Sequence, residues 1–314
     1  MKPMLASDAN PDKIKFPCMI QPKIDGVRAM NITGKLTGRS LKQHKNRFTN
    51  TFFNSFIFEG FDGEMFVNQD PTHPDLCRTT SSVLGTYEGE PFITWNIFDY
   101  VTDETKDLSY VTRLKMALNK VLHIKEQYPL LKEHLQVSPV IVVWDIDELT
   151  MWEQSWLMQG YEGLIIRDPD GKYKHGRSTA KEGGLLRIKR FIDAEATVIG
   201  ITEGEENNNE KQVNELGNSF RSSHKENKIG NGMVGNLICR IKEDIYDSNN
   251  ELLFEKDYEI TVSPGSMPHN ERMYYYGFQQ EILGKTIKFK FFPKGIKDKP
   301  RFATYQSIRN AEDM

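Results

Sequence analysis

Near its N-terminus the 314-residue chain reads Lys23-Ile24-Asp25-Gly26-Val27-Arg28. By composition alone a Lys-x-Asp-Gly sequence occurs in about one chain in fifteen of this length, usually as an exposed hairpin turn. The motif gains meaning from others that follow it along the chain: Gly38-Arg39-Ser40, Phe61-Asp62-Gly63-Glu64, Phe98-Asp99-Tyr100, Glu162-Gly163-Leu164-Ile165-Ile166-Arg167 and Leu186-Arg187-Ile188-Lys189-Arg190. Together these motifs indicate a site that handles phosphate groups.

The motifs supply the residue types that nucleotidyl transfer requires. Lys23 is a candidate nucleophile, and a lysine attacks phosphorus only as the free amine, which nearby cations, a metal ion or desolvation favour. The negative charge that develops on phosphate oxygens could be neutralised by Lys189 and by a metal ion held by Glu162. Taken singly these residues have ordinary interpretations, with Lys23 a solvated lysine, Glu64 a surface carboxylate and Phe98 a core residue. Their occurrence as an ordered set favours the functional interpretation.

Composition predicts a soluble globular protein. Hydrophobic residues make up 38% of the chain and charged residues 27%, and no apolar run approaches the roughly 20 residues that cross a bilayer. Residues 1–15 lack the apolar stretch of a secretory signal, and Cys18, Cys77 and Cys239 are too few and too dispersed for a disulfide framework. We therefore expect an intracellular protein in a reducing compartment, whether cytoplasm, nucleus or virus factory, with no membrane partner.

Charge is unevenly distributed along the chain. The net charge of −3 argues against a protein that coats nucleic acid through bulk positive charge. Between residues 285 and 309, however, basic side chains far outnumber acidic ones. A local basic surface of this kind is compatible with a nucleic-acid partner.

Apolar periodicity predicts a mixture of helices and strands. Strands are expected at residues 18–20, 27–32, 60–67, 92–100, 140–145, 164–167, 185–191, 237–241, 258–262 and 286–292, with turns at Asp25-Gly26 and Asp62-Gly63. Helices are expected at residues 108–135 and 149–159. Residues 202–232 hold few large apolar side chains, so we expect a mobile insertion there. The joint between two domains is expected near residues 191–193.

The motifs resemble those of the covalent nucleotidyltransferases, the family of DNA ligases, RNA ligases and mRNA capping enzymes. Two further stretches carry the resemblance: Lys172-Tyr173-Lys174-His175-Gly176-Arg177-Ser178-Thr179 and Ile192-Asp193-Ala194-Glu195-Ala196-Thr197. The similarity is strongest to the minimal viral type of ATP-dependent DNA ligase. It implies an α+β protein with a nucleotidyltransferase (adenylation) domain at 1–191, of the ATP-grasp-like ligase fold with antiparallel sheets and flanking helices. An OB-fold β-barrel would follow at 192–314, with a DNA-binding latch inserted at about 203–232.

The resemblance also implies roles for the residues that match the motifs around the nucleotide. Lys23 would form the lysyl-AMP bond, and Asp25 would serve the later, DNA-bound steps. The implied nucleotide contacts are Gln21 at the adenine edge, Phe98 stacked on the adenine, Arg28 and Glu64 on the ribose, and Ile24 in the pocket.

A second group of implied roles concerns phosphates and metal. Arg39 would bind the 5′-phosphate of the nick, Arg177 would bind AMP or that phosphate, and Glu162 would bind the metal. Arg187 and Lys189 would bind the α-phosphate, with Arg187 standing where the family usually has a lysine.

The last motif is matched by Lys297-Asp298-Lys299-Pro300-Arg301-Phe302 in the second domain. By this match Arg301 would orient pyrophosphate during the first step, and Asp313 is a weaker candidate from its offset to Arg301.

The implied activity is an ATP-dependent DNA ligase that seals 3′-hydroxyl/5′-phosphate nicks in duplex DNA through lysyl-AMP and DNA-adenylate intermediates. Its cofactors would be ATP, as covalent AMP, and Mg²⁺ or Mn²⁺, and it would act as a monomer that encircles DNA with the latch. Two alternatives remain open from the sequence. One is an RNA ligase or a GTP-using mRNA capping nucleotidyltransferase, and the other is a non-catalytic OB-fold protein that binds nucleic acid.

Overall fold

The computed structural model describes residues 1–247, 250–294, 296 and 298–309. The chain divides into two compact units, the first Met1–Lys189 and the second beginning at Arg190. None of the described helices is both long and apolar enough to cross a membrane. The mixture of helices and predominant sheet confirms the predicted α+β class.

The first unit is built from short strands and a few helices. Its strands are β1 (Met4–Leu5), β2 (Ser7–Asp8), β3 (Cys18–Pro22), β4 (Val27–Ile32), β5 (Lys35–Gly38), β6 (Phe61–Val67), β7 (Ile93–Tyr100), β8 (Leu135–Val137), β9 (Ile141–Val143), β10 (Gly163–Arg167), β11 (Gly176–Arg177) and β12 (Leu185–Lys189). Its helices are α1 (Arg47–Phe53), α2 (Leu76–Leu84), α3 (Tyr110–Gln127) and α4 (Ile146–Met158).

Two mostly antiparallel five-stranded sheets organise this unit, with strand orders β2-β12-β10-β3-β9 and β5-β4-β6-β7-β8. Helix α4 packs Leu149 and Trp156 against the first sheet, where they meet Ile20 and Leu164. Helix α3 covers the second sheet with apolar side chains three or four residues apart, Ala117, Val121 and Ile124 among them. Each sheet therefore has one apolar face buried by a helix, which leaves other faces free to line a cavity.

The ends of these two helices differ from the predicted ones. Helix α3 begins after Ser109, whose hydroxyl accepts a hydrogen bond from the backbone of Thr112, and it ends at Gln127 rather than at residue 135. The backbone of Tyr128 leaves the helical region, with φ −127° and ψ 81°, because Pro129 follows it and proline disfavours a helical residue before it. Helix α4 begins three residues earlier than predicted because Asp145 caps it.

The second unit is almost entirely β structure. Its elements are β13 (Ile192–Asn207), β14 (Lys211–Val213), β15 (Ser219–Arg221), β16 (Lys228–Ile241), β17 (Ile245–Tyr246), β18 (Leu252–Phe254), β19 (Glu259–Val262), α5 (His269–Gly277), β20 (Thr286–Phe292) and β21 (Arg301–Ile308). Along β20 the buried residues Ile287, Phe289 and Phe291 alternate with Lys288 and Lys290, which gives the strand one apolar face.

The main sheet of the second unit has the strand order β19-β16-β13-β20-β21. Its core is formed by apolar side chains such as Val198, Leu237 and Phe289. One isolated bridge, between Ser263 and Thr304, links the region after β19 to β21. Among the described residues the ladder does not close into a continuous barrel.

The insertion at 202–232, which the sequence predicts to be mobile, contains regular strands in the described structure. Strands β13 and β16 continue into it with pairs such as Glu205 with Gly230 and Asn207 with Lys228, and β14 and β15 form a further hairpin. Polar contacts take the place of an apolar core, since the Asn209 amide donates to the carbonyls of Ser222 and His224 at 2.9 and 2.7 Å. Backbone pairing and buried amides can order a segment that apolar composition alone does not.

The predicted turn at Asp62-Gly63 is also wrong. Both residues lie inside β6, where they pair with β4 and β7. Gly63 is suited to this position because a side chain would meet the carbonyl oxygen of Asn96 at 2.4 Å. The sequence prediction also missed helices α1, α2 and α5 and several strands, among them β5, β8, β13 and β21.

Candidate active site

A cavity of about 390 Å³ lies in the first unit, with lining residues from both of its five-stranded sheets. It brings together many of the residues that the motifs singled out: Gln21, Lys23, Ile24, Arg28, Arg39, Glu64, Phe98, Arg177 and Arg187. Two others lie behind it, since Glu162 contacts Lys23 and Lys189 contacts Glu162. Residues that are more than 160 positions apart in the sequence thus meet at one place.

Lys23 is held at the cavity by its backbone. It directly follows β3, its N–H donates to the carbonyl of Gly163 at 2.9 Å, and its own carbonyl accepts from the N–H of Glu162 at 3.0 Å. Gly163 has a φ of +145°, and a side chain there would meet the Ile188 carbonyl oxygen at 2.2 Å. Only glycine fits this close approach, which explains the Glu162-Gly163 pair in the motif.

Glu162 joins two lysines. One carboxylate oxygen contacts the ammonium group of Lys23, and the other lies 2.7 Å from Nζ of Lys189. Burial would raise the pKa of Glu162, but the charges of Lys23 and Lys189 outweigh it and leave the pKa below its ordinary value. Burial also lowers the pKa of Lys189, although Glu162 opposes that effect. The site thus holds one carboxylate between two amines.

Glu64 lies on β6 directly opposite Arg28 on β4. Burial raises the pKa of Glu64 to about 7, against the lowering effect of the charges on Lys23 and Arg28. The nearby carboxylates of Glu162 and Asp25 raise it further. Glu64 is therefore a group whose charge changes near neutral pH.

Arg28 is fixed by a fork-shaped contact. Its Nε and Nη2 atoms lie 2.5 and 2.6 Å from the two oxygens of buried Asp62, which also accepts from the hydroxyl of Tyr173 at 2.7 Å. Burial lowers the pKa of Arg28, but Asp62 and Tyr173 raise it more, so the net shift is upward. Its guanidinium lies 4.6 Å from the ring centre of Phe98. Arg28 therefore presents a permanently charged face beside an aromatic ring.

Arginines from separate strands and loops form a cationic rim. The pKa of Arg39 is lowered first by burial and then by the charges of Arg177, Arg28 and Arg187. Arg187 is 2.6 Å from Asp8, and Arg177 donates to the carbonyl of Ala6. Cations that repel one another across a cavity are suited to an anionic ligand.

Sequence reasoning gave no role to two buried polar residues of the cavity, Asn96 and Arg167. Each is 2% exposed, and Asn96 Oδ1 and Arg167 Nε have no hydrogen-bond partner in the described part of the chain. Arg167 binds Asp99 at 3.1 Å and lies 5.6 Å from the ring centre of Phe98. Arg167 is the last residue of the Glu162 motif and Asn96 precedes Phe98 by two residues, but no pattern in one sequence distinguishes them from core residues.

The remaining predicted residues lie elsewhere. Asp25 is buried beside Lys23 in the chain, at 7% exposure. Arg301 begins β21 in the second unit, where it donates to the carbonyl of Lys294 at 3.3 Å. Lys297 and Asp313 lie outside the described residues. Within the described ranges no group of three or more His, Cys, Asp or Glu side chains is placed to hold a metal ion.

The cavity has a cationic rim and a lysine at its edge, and comparisons with known proteins show the family of the chain. No protein-family model matches the chain. The sequence is 25% identical over 155 residues to the DNA ligase of Enterobacteria phage T3, a match that covers 47% of this chain and 44% of that ligase. The chain therefore spans less than half the length of this curated relative.

Solved structures match over the whole chain. A crystal structure of Chlorella virus DNA ligase-adenylate is 30% identical, with a TM-score of 0.53 over 100% of this chain and 99% of that one. A Lig E DNA ligase structure has a TM-score of 0.68 at 20% identity, covering 98% and 99% of the two chains, and shows the fold alone. The chain belongs to the DNA ligase family, and its similarity is to ligases of the minimal viral type.

Proposed function

We propose that the protein is an ATP-dependent DNA ligase that joins the 3′-hydroxyl and 5′-phosphate ends of a nick in duplex DNA. The observation that carries the proposal is the position of Lys23, whose ammonium touches Glu162 at the edge of a cavity rimmed by arginines. The full-length similarity to a viral ligase captured as its adenylate supports the same chemistry.

In the first step Nζ of Lys23 would attack the α-phosphorus of ATP, forming a P–N bond as the bond to pyrophosphate breaks. One proton must leave the ammonium before the attack and a second as the P–N bond forms. The Glu162 carboxylate touches this ammonium and would orient the amine, while both protons would pass to water. Lys189 and Arg187 would neutralise the phosphate oxygens.

Two further displacements would complete the cycle. The 5′-phosphate of the nick would attack the phosphorus of lysyl-AMP, and protonation of the nitrogen would return Lys23 as the leaving amine. The 3′-hydroxyl would then attack the activated phosphate and release AMP. Asp25 is proposed for these later steps, and Arg39 and Arg177 for the nick phosphate, because both arginines line the exposed rim of the cavity.

The nucleotide itself would occupy the cavity. Phe98 would stack on the adenine, Gln21 would read its edge, and Ile24 would form part of the apolar wall. Arg28 and Glu64 would hold the ribose from adjacent strands. The volume of about 390 Å³ is within the ordinary range for a small-molecule site.

A divalent ion bound by Glu162 would replace one of its lysine contacts and take the rest of its coordination from the substrate and water. Both oxygens of Glu162 are engaged by lysines, and the described residues offer no ready-made set of three ligands. Mg²⁺ commonly uses one or two carboxylates together with substrate phosphates and water. Glu162 would be the protein ligand, and the ion, Mg²⁺ or Mn²⁺, would neutralise charge on the phosphates.

The larger organisation is proposed on the same basis. The first unit would be the nucleotidyltransferase domain and the second an OB-fold domain, in which Arg301 would orient pyrophosphate. The hairpin at 203–232, which carries Lys211 and Lys225, would act as a latch that lets a monomer encircle the duplex. Free thiols at Cys18, Cys77 and Cys239 fit a reducing compartment.

Sealing of a labelled nicked duplex in the presence of ATP and Mg²⁺ tests the proposal. We expect a joined strand with ATP and none with GTP. Faster sealing of the same nick in RNA would favour an RNA ligase, and a covalent adduct formed from GTP but not ATP would favour a capping enzyme. Nick binding without any sealing or adduct would favour a non-catalytic binding protein.

A further inference from the structure

Two buried amides in the cavity have polar atoms without partners. Gln21 lies on β3 and Asn96 on β7, each is 2% exposed, and both line the cavity. Gln21 Nε2, a donor, and Asn96 Oδ1, an acceptor, make no hydrogen bond within the described structure. Buried polar atoms nearly always have a hydrogen-bond partner. Two unpartnered atoms that face one cavity therefore indicate that a ligand supplies the missing partners.

Asn96 is placed on the ligand side of its strand. Side chains alternate along β7, so Asn96 projects to the same face as Phe98, and both line the cavity. Its partner across the ladder is Glu64 on β6, which also lines the cavity. Asn96 therefore stands between a ring suited to stacking and a carboxylate suited to sugar hydroxyls.

The unpartnered atoms of Gln21 and Asn96 would bind different groups of a purine base. Adenine presents an exocyclic amine, which donates, beside ring nitrogens, which accept, whereas guanine carries an oxygen acceptor in place of that amine. An amide oxygen at Asn96 matches the amine of adenine and would oppose the oxygen of guanine. The donor at Gln21 matches a ring nitrogen, and a further donor, Nε of Arg167, lines the same cavity.

The cations near the ring do not alter this pattern. A guanidinium can bind the acceptor edge of guanine, but Arg28 already donates hydrogen bonds to both oxygens of Asp62. Arg167 binds Asp99 at 3.1 Å through Nη1, and its unpartnered Nε is a donor that matches a ring nitrogen of either purine. Of the two unpartnered amide atoms, the acceptor on Asn96 is the one that distinguishes the two purines.

We propose that Asn96 is a specificity-determining residue of the nucleotide cavity: its amide oxygen accepts a hydrogen bond from the exocyclic amine of adenine while Gln21 donates to a ring nitrogen. This inference rests on the proposed adenylation of Lys23 and adds to it the residue that separates ATP from GTP.

The test compares wild type with Asn96→Ala on two nucleotides. The rate of covalent adduct formation is followed by intact mass against the concentration of ATP, or of purine riboside 5′-triphosphate, which lacks the exocyclic amine. Wild type is expected to prefer ATP by about tenfold, the effect of one hydrogen bond that leaves a buried group unpaired when lost. Asn96→Ala is expected to lose about tenfold with ATP, mainly as a higher half-saturating concentration, and nothing with the analogue.

Two variants separate recognition from folding. Thr94→Ala removes another buried, unpartnered polar atom of β7 that does not line the cavity, and it is expected to leave both nucleotides unaffected. Asn96→Leu fills the space of the amide without its oxygen, so it keeps the packing that Asn96→Ala loses. It is expected to show the same nucleotide dependence as Asn96→Ala even if Asn96→Ala lowers the melting temperature.

The outcomes distinguish this inference from the proposed function. Equal losses with ATP and the analogue, or no loss with either, would overturn the role of Asn96 while leaving adduct formation in place. A wild type that forms no adduct with ATP would instead contradict the proposed function itself.

Discussion

The ionisation of each carboxyl group in the cavity depends on the residues around it. Glu162 is kept ionised by two lysines, whereas Glu64, a short distance away on a different sheet, titrates near neutrality. Two carboxylates of the same type therefore differ in charge at neutral pH because one has two amines in direct contact and the other is mainly desolvated. Such divergence is common where acid and base chemistry take place.

The raised pKa of Glu64 predicts a pH dependence of stability. A carboxyl group with a pKa of about 7 in the folded state and 4.5 as its ordinary value binds more protons when folded. Stability should therefore fall as the pH rises from about 4.5 to about 7, and Glu64→Gln should remove this fall. We expect the variant to match wild type at pH 4 and to exceed it by up to about 3 kcal/mol at pH 8.

Urea unfolding followed by tryptophan fluorescence is the suitable measurement, because all four tryptophans lie in the first unit. Glu90→Gln, which changes an exposed carboxyl group, is the matched control and should alter nothing. Parallel pH profiles for wild type and Glu64→Gln would contradict the raised pKa, because a group with the same pKa in the folded and unfolded states adds no pH dependence to stability.

At the scale of single residues, the sequence was informative where a motif couples chemistry to backbone geometry. Lys23 and Glu162 were identified because each stands in a short motif, and the structure brings them into contact. Asn96 was missed because an asparagine in an apolar strand carries no local signal. Its importance arises only when folding places it in a cavity with Gln21 and Phe98.

Among the elements, the hairpin at 203–232 shows how polar sequence can be ordered. Its strands pair through the backbone, and the Asn207 amide donates to the Ser222 carbonyl at 2.8 Å. Lys211 and Lys225 remain exposed on it. An ordered arm with exposed cations is suited to contact phosphates.

We expect removal of this hairpin to weaken DNA binding but not adduct formation. Deletion of residues 206–228 should weaken binding to nicked duplex by at least about tenfold at moderate salt, because phosphate contacts are lost, while adduct formation on Lys23 stays intact. Charge reversal by Lys211→Glu and Lys225→Glu keeps the backbone ladder and should reduce the salt dependence of binding by about two ion contacts. Nick affinity is measured by fluorescence anisotropy at several salt concentrations.

The matched control replaces neighbouring acids instead, with Glu210→Gln and Glu226→Gln. These changes should leave nick binding unchanged or tighten it slightly. Equal affinity of wild type, the deletion and the charge-reversal variant at every salt concentration would show that the hairpin takes no part in DNA binding.

Strands and helices were predictable to different degrees for physical reasons. Strands β4 and β20 have the bounds that the sequence predicts. In both, apolar residues either alternate with polar ones or follow one another without a break. Helix α1 was missed because it has only 7 residues, too few for a helical period to stand out from the sequence. The hairpin was missed because hydrophobicity does not report backbone pairing.

For the molecule as a whole, the order of the motifs carried more information than composition did. Net charge and hydrophobic content fit many globular proteins, whereas the motifs lie directly after β3 and on β4, β6, β7, β10 and β12, strands that contribute residues to the cavity or its edge. The boundary between the two units falls directly after β12, the last strand that carries one of the cavity motifs, because the first unit ends at Lys189. What the sequence could not supply was the pairing of strands far apart in the chain.

The central claim is that the amine of Lys23 bonds directly to the phosphorus of AMP. Peptide mass spectrometry after incubation with ATP and Mg²⁺ tests it, with Lys23→Ala as the matched variant. The predicted result is one AMP increment on the peptide that contains Lys23, and none anywhere in the variant. An increment on another lysine such as Lys189, or an adduct that persists in Lys23→Ala, would contradict the account.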